Sequence, residues 1–280
     1  MRVLVTGSTG RVGSRFVPRL LEQGEDVRVL VRDAAKAEAL RERGAEVVTG
    51  DLRDPDDVRK ALAGRDAVVH VAAAFRHVPD EEAVAVNRDA TVGLAREALS
   101  AGVSRFVFTS TTLVYGPGRG RPAAEGDEPR PARAYPVSKV AAEQALQAMY
   151  VDEGLGLRVM RLGFVYGEGD PHLAEAMMFA RGRPAHMRFQ LVHHADVGQA
   201  LIRGLRADGV DGRIYNVADD APITVWEVHR LNGEQIAPDA AGLALDDPWE
   251  GIADTAKIRT ELGFRPLYPS VYTARDAGAL

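Results

Sequence analysis

The 280-residue chain has no cysteine. Disulfides, thiolate-bound zinc and cysteine nucleophiles are therefore excluded. Lysine is scarce: 4 of the 35 basic residues, the other 31 being arginine. A lysine kept at a particular spacing is thus informative. No apolar run approaches the ~20 residues of a membrane span. The N-terminal run meets a glycine at Gly7, too early for a signal-peptide core. Charge of one sign is also lacking. A net charge of −5 gives no reason to expect a nucleic acid or an anionic membrane as partner. Hydrophobic content of 46% and charged content of 27% are those of a globular protein. The expectation is a cytoplasmic protein acting on a small molecule.

The first 160 residues alternate short β-branched runs with amphipathic stretches. Strands are predicted at Arg2–Thr6, Asp26–Val31, Glu46–Thr49, Ala67–Val71, Arg105–Thr109 and Leu157–Arg161. Helices are predicted at Gly13–Gln23, Ala34–Arg43, Pro55–Ala63, Glu82–Ala101 and Pro136–Glu153. That alternation predicts an α/β fold, a Rossmann-type doubly wound parallel sheet with ligands at the carboxyl ends of its strands. Beyond residue 161 the rhythm loosens. We expect a dinucleotide-binding domain from 1–162 plus about 193–217. A smaller, discontinuous C-terminal substrate lobe would comprise about 163–192 plus 218–280.

Gly7, Gly10 and Gly13 follow the first strand and open a helix, with Thr9, Arg11 and Val12 between them. Glycines at this place permit a tight turn, close approach to a pyrophosphate and close helix–strand packing, and the helix N-terminus adds N–H donors. NAD sites usually carry an acid at the end of the second strand. Here Val31 stands there and Arg32 follows, which suits a 2′-phosphate. NADP(H) is favoured and NAD(H) remains possible. Arg11 could reach the same phosphate. Asp51, beside Leu52, could accept from the adenine amino group, or could cap the helix that begins near Pro55. Small residues Ala72, Ala73 and Ala74 would let backbone lie against ribose and phosphate.

Tyr135 and Lys139 are four residues apart and so share a helix face. An ammonium there favours the phenolate and should lower the phenol pKa, making Tyr135 a general acid or base. His193, His194 and Asp196 make a poor metal site, because adjacent strand residues face opposite ways. No metal is expected.

These segments together resemble the extended short-chain dehydrogenases/reductases, the group that includes nucleotide-sugar epimerases and dehydratases. The resemblance runs through Gly50-Asp51-Leu52, Asn87, Val114-Tyr115-Gly116, Tyr135-Pro136-Val137-Ser138-Lys139, Arg161 to Gly167, and Val192-His193-His194-Ala195-Asp196-Val197. It implies that Tyr135 is the acid/base and that Lys139 holds the nicotinamide ribose. It implies that Thr111, four residues before Tyr115, bonds the substrate oxygen, with Ser110 facing the cofactor. Leu162 to Val165 would pass the carboxamide, and a homodimer would form through the helices near 82–101 and 136–153. Tyr115, Phe164 and His193 would lie by the substrate. Phe164 departs from the pattern, since many nucleotide-sugar members carry Asn there. That change leans toward a smaller or more apolar substrate, so the leading expectation is NADP(H)-dependent net hydride transfer between the nicotinamide and a carbonyl or alcohol of a small metabolite. An epimerase or dehydratase that recycles its dinucleotide is the alternative. A catalytically silent, NADP-binding regulatory protein is the third.

Overall fold

The computed structural model describes residues 1–75 and 78–280. The strands in chain order are β1 (Arg2–Thr6), β2 (Asp26–Val31), β3 (Glu46–Thr49), β4 (Ala67–His70), β5 (Arg105–Thr111), β6 (Leu157–Leu162), β7 (Phe164–Tyr166), β8 (Arg188–Phe189), β9 (Leu191–His193), β10 (Arg213–Val217) and β11 (Ile223–Thr224). The helices are α1 (Arg11–Glu22), α2 (Glu38–Glu42), α3 (Pro55–Leu62), α4 (Asp80–Val84), α5 (Thr91–Ser100), α6 (Ala134–Glu153), α7 (His172–Glu175), α8 (Met177–Ala180), α9 (His194–Arg206), α10 (Val225–Leu231), α11 (Ala256–Leu262) and α12 (Val271–Asp276).

Seven strands form one parallel sheet in the order β10-β6-β5-β4-β1-β2-β3. The central strands are apolar on both faces because helices cover both. Every residue of β4 and β6 is buried. One apolar cluster joins α1 and α9 to one face of the sheet, and a second joins α3, α5 and α6 to the other. Burial of this extent is the main favourable term in holding the sheet together. A third cluster gathers Tyr166, Met177, Leu191, Ile223, Val228 and Val271 beside the sheet. Two small sheets serve it, the parallel pair β7 and β9 and the antiparallel pair β8 and β11.

Two predicted helices differ from the expectation. The stretch 34–43 is a 3₁₀ turn, Ala34–Ala37, followed by the five-residue α2. Asp33 accepts from the N–H of Ala35 and so starts the tight turn. The stretch 82–101 is interrupted by a π turn at Ala85–Ala90. Asn87, in that turn, bonds both the N–H and the carbonyl of Ala74. A single-turn π bulge is a common way to aim a side chain at a functional region. No helix among the described residues is long and apolar enough to cross a membrane.

Candidate active site

Parallel pairing sends the carboxyl ends of β1 through β6 to one edge of the sheet. The register couples Thr6 to His70 and to Leu30, and Thr111 to Leu162. Gly7, Arg32, Asp51, Ala72, Thr111 and Leu162 are therefore brought to one edge, although they span 156 positions of sequence.

At that edge the glycine loop has little freedom. Gly7 has a φ of 74°, and a Cβ on it would run into the backbone of Ala72. A Cβ on Gly13 would run into the carbonyl of Gly7. The loop thus packs backbone against backbone. Thr9 and Gly10 are exposed at its tip, and Val12 packs against the core beneath. The hydroxyl of Ser8 is buried and has no hydrogen-bond partner among the described residues, and neither has that of Ser110. An unpartnered buried hydroxyl is uncommon and marks a place where another polar group belongs.

Arg11 does not point freely outward. Its guanidinium makes a two-pronged contact with Glu175, at 2.9 and 2.7 Å, and approaches Asp170 at 3.3 Å. Arg32 is exposed at the end of β2. Asp51 is half-buried and bound to Arg53, whose hydrogen bond holds its carboxyl down at about 2; Arg32 adds to the effect. Asp54, not Asp51, caps α3 by accepting from the N–H of Asp56. Leu52 packs against the core cluster under α3. Ala72 and Ala74 are half-buried and Ala73 is exposed.

Tyr135 and Lys139 lie on the first turns of α6. Lys139 is 1% exposed. Its Nζ donates to the carbonyl of Thr109 at 2.9 Å and lies 4.6 Å from the centre of the Phe108 ring. Burial pushes its ammonium down to about 7, against a smaller opposing pull from Glu143. Glu143 is itself held by Arg161 at 2.6 Å. The expected lowering of the Tyr135 phenol is not what the structure shows. Burial pushes that phenol up, and no charge offsets it. The physical reason is the direction of Lys139, whose ammonium is turned to the end of β5. Thr111 accepts from the N–H of Leu113 at 3.2 Å, which leaves its own O–H available to donate. Ser138 donates to the carbonyl of Tyr135 and accepts from Asn87, so the turn that carries Tyr135 is fastened to the Ala74 loop.

Two residues expected near a substrate are buried in hydrogen-bond networks. The hydroxyl of Tyr115 donates to Asn216 at 2.7 Å and accepts from Arg161 at 2.9 Å, inside a buried network. His193 is fully buried. It accepts from the N–H of Ala195 as the cap of α9, and its Nε2 meets the carbonyl of Ala279 at 2.8 Å. The chain turns from β9 into α9 between His193 and His194, so the two are not neighbours along one strand. His194 instead bonds buried Asp170 at 2.8 Å.

Phe164 behaves differently. Its ring stacks on His172 at 3.8 Å between centres. The ring of His172 lies 6.4 Å from that of Phe75, and Phe75 lies 4.6 Å from Tyr135. Nδ1 of His172 meets the carbonyl of Val165 at 2.8 Å, which fixes the imidazole over β7. Phe75 and His172 escaped the sequence reading because neither belongs to a spaced motif. The one available hint was a large aromatic residue placed directly after three alanines.

The profile of the NAD dependent epimerase/dehydratase family matches residues 3–218. The chain belongs to that family. It is an enzyme of the extended short-chain dehydrogenase/reductase type, with the nicotinamide-dependent fold of that group. It is 30% identical over 312 residues to a UDP-glucose 4-epimerase of Streptomyces lividans, covering 99% of this chain and 94% of the relative. It is 30% identical over 237 residues to a 4-hydroxy-2-methyl-3-oxo-4-farnesyl-3,4-dihydroquinoline-1-oxide ketoreductase of Stigmatella aurantiaca, covering 80% and 70%. Among solved structures it is similar to the dTDP-glucose 4,6-dehydratase of Streptomyces venezuelae with NAD and TYD bound. There the TM-score is 0.80 and the identity 26%, over 99% of this chain and 97% of that one.

Proposed function

We propose that the chain catalyses oxidation and reduction at a secondary carbinol carbon, with the dinucleotide recycled within each turnover as in a nucleotide-sugar epimerase or dehydratase. The relatives carry this choice over net reduction, since epimerase and dehydratase names recur among them. The geometry that supports the chemistry is the contact of Lys139 with Thr109. It sets the Tyr135–Lys139 face of α6 against the strand end that bears Thr111.

The residues fit a nicotinamide dinucleotide. The glycine loop leaves no room for a Cβ at Gly7 or Gly13, and the orphaned hydroxyls of Ser8 and Ser110 await a partner. Gly7 to Gly13 would hold the pyrophosphate, with Ala72 to Ala74 beside the ribose and Leu162 to Val165 by the carboxamide. When bound, the dinucleotide takes and returns the hydride. Tyr135 removes the proton of the carbinol as the hydride leaves and returns it as the carbonyl is reduced. Thr111 donates a hydrogen bond to the same oxygen. Lys139, fixed on the Thr109 carbonyl, would hold the nicotinamide ribose beside Tyr135. The region around the third apolar cluster, about 163–192 plus 218–280, is the substrate lobe in this reading.

For the cofactor, the exposed guanidinium of Arg32 and the capture of Arg11 by Glu175 and Asp170 favour NADP(H) held through Arg32 alone. Arg32→Ala should raise the Kd for NADP+ about 10–100-fold and leave that for NAD+ unchanged. Equal loss for both dinucleotides would remove the assignment.

The reaction class is tested by following the 340 nm absorbance while product forms from UDP-glucose or dTDP-glucose. Product without net change in reduced nicotinamide supports recycling; stoichiometric formation of reduced nicotinamide, as the sugar carbinol is oxidised, supports net hydride transfer. The reductase is the second reading, favoured by the stacking of Phe164 on His172 where a polar anchor would otherwise stand. Under either reading Tyr135→Phe should lower kcat about 10²–10⁴-fold with dinucleotide binding intact. Unchanged turnover would point to another acid.

A further inference from the structure

Tyr135, Lys139 and Glu143 follow one another at four-residue steps along α6 and share one face. The proposed chemistry uses the first two and leaves Glu143 without a task. Glu143 is 3% exposed and Lys139 1%. A carboxylate and an ammonium one turn apart, both out of water, ordinarily pair with each other. Here they do not. The Glu143 carboxylate accepts from Nε of Arg161 at 3.1 and 3.2 Å and from its Nη2 at 2.6 Å. The Lys139 ammonium donates instead to the carbonyl of Thr109 at 2.9 Å.

Arg161 is built to win this competition. It is 2% exposed on β6, where its register partner is Ser110 of β5. Its Nη1 donates to the hydroxyl of Tyr115 at 2.9 Å, and its guanidinium lies 4.9 Å from the centre of that ring. The Tyr115 hydroxyl in turn donates to Asn216 at 2.7 Å. The guanidinium is therefore held on one side before it meets Glu143 on the other. A fixed fork that takes both carboxylate oxygens is a stronger partner than a flexible ammonium. The other titratable groups around Lys139 are Tyr135 on its own helix and His70 of β4. Burial, and to a smaller extent the charge of Lys139, pushes the His70 imidazole down to about 3. Among the described residues, Glu143 is thus the carboxylate able to capture this ammonium.

We infer that Arg161 is a positioning residue for the proposed reaction: by holding the Glu143 carboxylate, it leaves the Lys139 ammonium at the end of β5 for the dinucleotide. This role presupposes that Lys139 binds the nicotinamide ribose. Without the guanidinium, Glu143 turns to Lys139 and draws the ammonium a helical turn away from Tyr135. Position 161 therefore needs a positive charge, and the fork is its best form.

The chain has four lysines, so each Nζ of the 15N-lysine-labelled protein can be followed by NMR, with Lys139→Met assigning the signal. The Lys139 signal should titrate about 1–3 units higher in Arg161→Gln than in the parent. The Kd values for NADP+ and NAD+ should rise alike, about 10–100-fold, because both carry the same nicotinamide ribose. Adding Glu143→Gln removes the competing charge and should return both readouts close to the parent's, although the double variant has lost the whole ion pair. Arg161→Lys keeps a charge on Glu143 and should also stay close to the parent. These two variants decide the matter if Arg161→Gln alone does not fold. The role is overturned if Arg161→Gln leaves the Lys139 titration unchanged, or if the double variant or Arg161→Lys loses dinucleotide binding. Failure of the underlying reading shows differently: Lys139→Met would then bind both dinucleotides as the parent does, while the Lys139 titration still shifts in Arg161→Gln and returns in the double variant.

Discussion

Lys139 is a buried cation without a carboxylate of its own. Its ammonium rests on one carbonyl and one ring face, and burial brings its pKa down to about 7 from the usual 10.5. The sign of the linkage follows. The unfolded chain binds the proton up to about 10.5, whereas the folded chain releases it near 7. Stability therefore rises as pH climbs from about 7 toward 10.5, and the burial penalty is fully present below 7. Lys139→Met should stabilise the fold by about 1–3 kcal/mol at pH 6, and the gain should shrink toward zero at pH 10. Thermal melts at the two pH values measure this; a pH-independent difference would show that the lysine keeps its ordinary pKa in the folded state. The same substitution should abolish turnover, so the residue is kept at the expense of stability. The spacing of Tyr135 and Lys139 was legible in the sequence because both lie on one helix. The direction of the ammonium was not, because it depends on where β5 ends relative to α6.

Helix α1 acts as a fastening strip. Arg11, Arg15 and Arg19 recur every four residues and so share a face. Arg11 holds Glu175 and Asp170, Arg15 donates to the carbonyl of Glu168 at 2.8 Å, and Arg19 pairs with the Glu168 carboxylate. Glu168 has a φ of 57°, the one positive value at a non-glycine residue among the described residues. Such a backbone costs on the order of 1 kcal/mol or more and persists only where neighbours hold it. Arg19→Ala should cost about 0.5–1 kcal/mol, since the pair is part-exposed. Raising the salt concentration should erase most of the difference between variant and parent in urea titrations. A difference that survives high salt would assign the loss to packing of the arginine stem instead. Sequence reading located α1 and its glycines, because turn chemistry is local. It assigned Arg11 to a phosphate, because the carboxylates that capture it lie about 160 residues away. The π turn at Asn87 escaped for the same reason: its cause is the backbone of Ala74, outside the helix.

At the scale of the molecule, distant chain segments meet beside the candidate site. The carbonyl of Ala279 accepts from the N–H of Glu168 at 2.9 Å and also meets Nε2 of His193 at 2.8 Å. The carbonyl of Leu280 accepts from Gly169 at 3.1 Å. Together with Asp196, which accepts from Leu267 and Tyr268, these bonds tie residues 267–280 to the strip that α1 clamps. Removing Ala279 and Leu280 should cost about 1–3 kcal/mol, with the Tm falling by roughly 2–4 °C per kcal/mol. It should also weaken dinucleotide binding, measured by fluorescence titration, because residues 167–175 lose one of their anchors. A melting temperature unchanged by the deletion would show that the last residues only lie on the surface.

By itself the sequence determined the alternation of strands and helices, the glycine turn and the Tyr135–Lys139 pair. Each depends on residues close together in the chain, through side-chain periodicity, backbone freedom and helical spacing. Tertiary structure decided the rest. It buried Tyr115 and His193 in networks with Asn216, Arg161 and Ala279, and it turned Lys139 to Thr109. It also placed Phe75 and His172, unmarked in the sequence, between Tyr135 and Phe164. Those contacts are set by how helices pack on the sheet, and packing joins residues that no local pattern connects.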